Sequence, residues 1–304
     1  MAKREGIEFP HSSPGVSLTA GKLKKSKGHL LFNDKRAITG LCVVIAAVLL
    51  TIWGRDVVPF DPSEPDTAIR FQSPSLNHWM GTDEAGRDIF SRVLAGVSAS
   101  MTVATGAVIV ALIVGFPLGA ISGYAGGHTD ALTMRVMDGV VAFPSRLLAI
   151  ALVAFSGASI PALWFAIAFG SVPGYARIVR GEVLGQKERE YVDAGRAIGE
   201  NSLALLVRHI LPNCMTPVMV RIPLNFAHAI TAEASLSFLG LGLVPPTISW
   251  GQMLNKAQSY LEVAPWLAIF PGLALATLIL GFVLLSDALR DLGGPDYRAR
   301  RRPR

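Results

Sequence analysis

Apolar residues gather along this chain into six runs, Ala37 to Trp53, Ser98 to Ile121, Val136 to Phe155, Ile160 to Ile178, Val218 to Leu239 and Trp266 to Leu285. Each has about the 17 to 25 residues that a helix rising 1.5 Å per residue needs to cross a bilayer. The pattern predicts an all-α integral membrane protein. It breaks between the fourth and fifth runs, where Gly181 to Pro212 carries charges of both signs. There Leu184, Tyr191, Ala194 and Ile198 recur at helical spacing as one apolar stripe, beside a face of Lys187, Glu188, Arg189 and Glu190. The spacing predicts a hairpin outside the bilayer: a helix over Lys187 to Ala197, Gly199 in the left-handed conformation, a second helix capped by Asn201 or Ser202, and a stop at Pro212. An ordinary connecting loop would carry the same spacing. The chain divides into a tail over 1–36, a first helix over 37–53, an external loop with an amphipathic helix over 54–97, a five-helix core over 98–289 holding the hairpin 181–212, and a basic tail over 290–304.

Charge orients these segments. Of 28 Lys and Arg, 21 fall on the segments that share a side with the N-terminus and the hairpin, and five on the opposite side. The positive-inside rule therefore puts both termini and the hairpin in the cytoplasm. With 51% hydrophobic and 16% charged residues and a mean hydropathy of +0.45, the chain is more apolar than soluble domains. Its net charge of +6 does not indicate a nucleic-acid partner, because the basic residues sit at membrane edges and no zinc-finger or RNA-binding motif is present. The run Arg298 to Arg304 suits anionic lipid heads. Basic residues precede the first apolar run as in a secretory signal, but no small-x-small cleavage site follows, so a retained helix is expected. Cys42 and Cys214 fall toward the reducing side, which disfavours a disulfide.

The polar residues left among the spans are few. Thr82 is placed to cap a helix, with Asp83 and Glu84 at its positive end and Asp88 one turn before Arg92. A calcium or magnesium site from Asp83, Glu84 and Asp88 lacks ligand-loop spacing. Gly115, Gly119 and Gly123, four apart, let a neighbouring helix approach, and Pro117 between them implies a kink. Arg135 and Asp138 suit an ion pair at the membrane edge, or a proton relay. Arg221, Asn225, His228 and Glu233 share roughly one helical sector and are candidates either for a solute pathway or for a hydrogen-bonded helix contact. Trp250, Tyr260 and Trp266 suit a membrane interface or a docking protein.

Five blocks between Leu76 and Leu292 carry a resemblance. The run YVDAGRAIG followed by RHILPN is similar to the cytoplasmic EAA loop of ABC importer permeases, with Asp193, Ala194, Gly199, Leu211 and Pro212 on its pattern. Gly195 departs from the second Ala, and His209 stands where the general pattern has Ile but where the dipeptide and oligopeptide branch has His. Gly81, Thr82, Asp83, Gly86, Arg87 and Asp88 resemble that branch's Gly-Thr-Asp-x-x-Gly-Arg-Asp, as does the stretch from Gly126 through Asp130, Met134, Arg135 and Asp138 to Pro144. The run from Glu233 through Pro245, Pro246 and Ser249 to Gly251 resembles its closing signature. The resemblance implies a type I importer permease with six transmembrane helices, the second membrane subunit of a bacterial importer for peptides or nickel chelates, in the cytoplasmic (inner) membrane. It implies a coupling helix at Tyr191 to Gly199, with Glu190, Asp193 and Arg196 as polar contacts, and as partners a related membrane subunit, two ATPase subunits that bind ATP and Mg, and an external substrate-binding protein. This chain contains no Walker A, HExxH or GxSxG sequence and no metal-ligand cluster, so no cofactor is expected on it and the energy must come from a partner. The rivals are a self-sufficient carrier or channel in which Glu233, His228 and Asp138 bind an ion, and a membrane-bound enzyme, for which no nucleophile-base arrangement is visible.

Overall fold

The computed structural model describes residues 34–54 and 56–293. The expected N-terminal tail, except its last three residues, and the expected basic tail beyond 293 lie outside the described residues. Those described form α1 (Lys35–Trp53), α2 (Ile89–Ala125), α3 (Gly127–Ala142), α4 (Ser145–Ser156), α5 (Ile160–Lys187), α6 (Glu190–Ala197), α7 (Ser202–Phe238), α8 (Trp250–Ala257) and α9 (Trp266–Gly293). Side-chain oxygens accept from first-turn N–H groups at the starts of α1 (Asp34), α2 (Asp88), α5 (Ser159), α7 (Asn201) and α8 (Ser249). Helices α1, α2, α5, α7 and α9 are long and apolar enough to cross a membrane, and α3 with α4 make a sixth candidate bent by 86°.

The third expected span is therefore not one straight helix. Pro144 lacks an N–H and pushes the residue before it out of the helical region, and Phe143 is extended at φ −92°, ψ 136°. Pro212, in contrast, does not stop the second arm of the hairpin. The chain runs on from Ser202 to Phe238, with a π-helical stretch over Leu205–Ile210 in which hydrogen bonds reach one residue further back. The wider turn spares the proline ring its clash with the carbonyl four residues earlier. The hairpin and the fifth span are consequently one helix.

The bundle closes on one seam. Helix α2 packs along α5 more extensively than any other pair of helices meets. A Cβ at Gly115 would stand 2.8 Å from the Val172 carbonyl oxygen and from Tyr175 Cβ, one at Gly123 would stand 2.9 Å from the Arg180 carbonyl oxygen, and one at Gly119 would fall on the Ala176 carbonyl. The expected small-residue contact is thus present and is made to α5. Further along, Gly96 receives Trp250, whose Nε1 donates to the Val93 carbonyl at 2.9 Å. Trp250 is 2% exposed and Trp266 donates to Thr82 O at 3.2 Å, while Tyr260 packs on Phe71. Gly96 and Gly81 leave room for Trp250 and Trp266, and Trp266 and Tyr260 stay half-exposed.

The loop before α2 is also differently built. Thr82 does not cap a helix; it bridges to Asp88 across a turn in which Gly81 and Gly86 have φ of +77° and +79°. Asp88 is the cap, accepting from Ser91 N at 2.7 Å and meeting His78 Nδ1 at 3.0 Å, while Arg92 turns to the Pro62 carbonyl at 2.7 Å and to Asp83. Asp83 pairs with Arg87 at 2.8 Å, and Glu84 with Arg87 and Lys256. Burial works against ionisation of Glu84, but a backbone hydrogen bond and then Lys256 and Arg87 outweigh it and hold its carboxyl below the ordinary glutamate value. With each carboxylate committed to cations or N–H groups, the loop is a clasp fastening α2 to α8.

Gly119→Ala is expected to lower the melting temperature of the purified protein by several degrees, the effect of about 1–3 kcal/mol of overpacking. Gly139→Ala, where a Cβ meets nothing within 4 Å, should leave it unchanged or raised.

Candidate functional site: a cationic trough joined to a helical hairpin

A cavity of about 600 Å³ opens among α4, α5 and α7, lined by Arg146, Gly170, Gly174, Arg221, Asn225 and His228 among others. Along α7 its wall runs from Arg221 to Leu239, about 27 Å at 1.5 Å per residue, nearly the thickness of a hydrocarbon layer. A second cavity of about 460 Å³ lies toward the hairpin, with Arg177, Glu182 and Arg290 in its wall. Arg221 lines both. The two cavities follow one another along the bundle.

Of the four residues expected to share a sector of α7, the structure brings three together. Arg221, Asn225 and His228 face the trough, and Glu233 does not. Five residues beyond His228, Glu233 sits about 140° around the helix. Fully buried, it accepts from Ser100 of α2 at 2.9 Å and from Ser237 and Ser249 at 2.8 Å each. It is a structural contact tying α2, α7 and the start of α8 together. A hydropathy profile gives no weight to serines, so only the cap position of Ser249 before Trp250 hinted at this. In the trough wall, the amide nitrogen Nδ2 of Asn225, a residue only 4% exposed, has no hydrogen-bond partner, and neither does Arg221 Nε or the Tyr175 hydroxyl. Gly174 makes room for Arg221, whose Nη2 would stand 3.5 Å from a Cβ there.

The expected pair Arg135 with Asp138 is not formed. Asp138 instead meets Arg177 at 2.7 Å, and Asp130 accepts from both Arg180 Nη2, at 2.6 Å, and Ser122. Two successive turns of α5, at Arg177 and Arg180, thereby reach α3. With Asp138 exposed and paired and Glu233 enclosed by serines, neither stands with His228 as an ion site. No group of three or more metal-ligating side chains occurs among the described residues.

The hairpin stands on the same helices. Helix α5 runs past the membrane to Lys187, whose Nζ donates to the Tyr124 carbonyl at 2.7 Å, at the end of α2. Glu188 and Arg189 break the helix, so α6 starts at Glu190 rather than Lys187. Gly199 has φ +80° as expected, and the Glu200 N–H closes the turn on the Gly195 carbonyl at 3.0 Å. The departure at Gly195 has a reason: it is buried, and a Cβ there would strike Leu205 and stand 3.3 Å from Glu200. Val192 and Ile210 are fully buried with Val183 and Cys214 in the inner core cluster, and these root the hairpin. The apolar stripe of α6 faces outward. Tyr191 and Ile198 are 38% and 83% exposed, and Ala194 is exposed too, because Val192 and Gly195 take the inner face. The outer surface is thus mixed: Tyr191, Ala194 and Ile198 beside Glu190 and the Asp193–Arg196 pair at 3.0 Å. His209 meets Glu200 at 3.1 Å across the hairpin, Leu211 is half-buried and Pro212 exposed.

The sequence profile of the family described as binding-protein-dependent transport system inner membrane component matches residues 115–298. The chain is 40% identical over 269 residues to the dipeptide transport system permease protein DppC of Alkalihalophilus pseudofirmus, covering 88% of each. It is 39% identical over 264 residues to the glutathione transport system permease protein GsiD of Pectobacterium atrosepticum, covering 86% of this chain and 88% of the relative. Against the GsiD protein of an Escherichia coli strain, identity is 42% over 263 residues.

Because Glu233 serves as an acceptor for three helices rather than as part of the trough, Glu233→Ala should destabilise the protein by about 3 kcal/mol. Glu233→Gln, which keeps an acceptor oxygen, should recover part of the loss. Thermal unfolding of the purified variants in one detergent reads both.

Proposed function

The chain belongs to the binding-protein-dependent transport system inner membrane components, the multi-pass membrane permeases of ABC importers, and on that premise we propose that it forms half of the path of a peptide importer. The observation that carries this reading is the continuity between hairpin and trough. Helices α5 and α7 are each unbroken from the trough wall to the hairpin base, and Val192, Ile210 and Val183 lock that base into the core. A force on the hairpin is delivered to the helices that shape the trough.

In this reading two ATPase subunits bind ATP and Mg and grip the exposed face of α6. Tyr191, Ala194 and Ile198 supply apolar contact, and Glu190, Asp193 and Arg196 polar contact. The backbone turn at Gly199, the Glu200–His209 bridge and the Leu211–Pro212 step hold the second arm in register. Closure of the ATPase pair tilts α5 and α7 and turns the trough outward, where an external substrate-binding protein delivers the solute; hydrolysis resets it. A related membrane subunit supplies the other wall. Arg221, Asn225 and His228 are the pathway residues on this side. The relatives named for dipeptide and for glutathione transport support a peptide-class solute. The charge distribution supports cytoplasmic termini in a bacterial inner membrane.

Reconstituted with its partners in vesicles, the Asp193→Ala, Gly199→Ala double variant should keep its ATPase subunits through purification and retain ATP hydrolysis. Its ATP-driven dipeptide uptake should fall about tenfold, the scale of 1–2 kcal/mol of lost coupling. Undiminished uptake would refute the role given to the hairpin.

A further inference from the structure

Cations in this trough are unbalanced. Its wall carries Arg146 and Arg221, with His228 beside them, and no Asp or Glu. Glu233, the acid nearest in sequence, is turned away and occupied by three serine hydroxyls. Below it, the second cavity adds Arg290 and Glu182, together with Arg177, which is paired with Asp138. Positive side chains this deep in a membrane protein are expensive unless something negative visits them. Their donors are also only partly used: Arg221 Nε is buried at the wall without a hydrogen-bond partner among the described residues, and Asn225 Nδ2 makes no bond of ordinary geometry, its nearest polar neighbour being the Tyr175 hydroxyl. A planar guanidinium beside an amide N–H is a carboxylate receptor, and a low-dielectric wall strengthens its pull.

We propose that the trough is selective for anionic solutes, with Arg221 and Asn225 receiving a carboxylate of the passing molecule and Arg221, which borders both cavities, handing it on toward Arg290 on the cytoplasmic side. This rests on the reading of the trough as a solute path and adds to it the charge class of the substrate. Arg146 and His228 set the field at the wider part of the trough. Selection by an external binding protein is thereby repeated inside the membrane, at a site that a neutral or cationic solute of the same size would cross less readily.

The test reads the field directly and needs no knowledge of the substrate. In the assembled importer, with Cys42→Ser and Cys214→Ala as background, Thr231→Cys or Ser235→Cys places a thiol in the trough wall. Anionic sulfonatoethyl and cationic trimethylammonioethyl methanethiosulfonates are then applied. In each reaction the thiolate attacks the reagent's sulfenyl sulfur, forming a mixed disulfide and releasing methanesulfinate. Normalised to their rates with 2-mercaptoethanol, the anionic reagent should react about tenfold faster or more, the preference expected for one or two unscreened charges within several ångströms. Arg221→Gln should cut that ratio severalfold, and Arg146→Gln with Arg221→Gln should bring it to about one. A ratio at or below one at both thiols, as would follow if the second membrane subunit placed an acid opposite Arg221, overturns the proposal. So does a ratio that Arg221→Gln leaves unmoved, or the failure of either thiol to react. Dipeptide uptake in the same vesicles is scored separately: its absence alongside an anionic preference would remove the peptide reading and leave the anion path standing.

Discussion

Two helices in hydrocarbon gain nothing by hiding apolar surface from lipid, so their association rests on close van der Waals contact and on the few polar bonds that cross between them. The α2–α5 seam meets that constraint. Gly115, Gly119 and Gly123 bring the backbones together where any side chain would collide with a carbonyl of α5. The polar bonds gather at the two ends of α2. Arg180 with Asp130 and Lys187 with the Tyr124 carbonyl lie at one end, and Trp164 Nε1 with the Thr102 carbonyl toward the other. Helix α5 is thus fixed along most of its length, and what α5 carries, the trough wall on one side and the hairpin at its end, inherits that position.

Rigidity of this kind is what a lever needs, and the hairpin adds its own. Schellman closure at Gly199 sets the angle between α6 and α7 with backbone bonds alone. A helix that continues through Pro212 then carries that angle into the membrane. The π-helical stretch before Pro212 is the exception to regular geometry in α7. An extra residue in a turn leaves a helix slightly under-bonded and easier to bend, and such stretches recur at functional sites. Its place, between the hairpin and the trough, is where a hinge between the two would act.

Periodicity made the spans, the hairpin and the left-handed Gly199 readable from residues alone, because each depends on local rules of length, capping and handedness. What it misplaced depended on partners distant in sequence. Asp138 looked to Arg135 three residues before it, and it is Arg177, on another helix, that arrives. Thr82 has the chemistry of a cap, yet the bonds of Asp88 to Ser91 settle where α2 begins. Spacing marked the apolar stripe of α6 but not which way it turns. Val192 and Gly195 fill the inner face, and the stripe is left for contact beyond this chain. Proline gave opposite results at two sites for one reason. At Pro144 the helix breaks into two arms, whereas at Pro212 a widened turn absorbs the same missing hydrogen bond.

The polar residues inside the membrane divide by whether their bonding capacity is spent. Glu233 accepts from three serine hydroxyls and joins α2, α7 and the start of α8 at one point. Arg221 and Asn225, two and one turns before His228 on α7, retain unused donors beside an open volume. Both sorts share one helix and the same composition, and only rotation about its axis separates them. That rotation also fixes their sensitivity to motion. A tilt of α7 would move Arg221 relative to the two cavities it borders, and the serine contacts of Glu233 lie further along the same helix. A permease of this build can therefore alter the exposure of its cationic donors without dismantling the bonds that keep its outer half assembled.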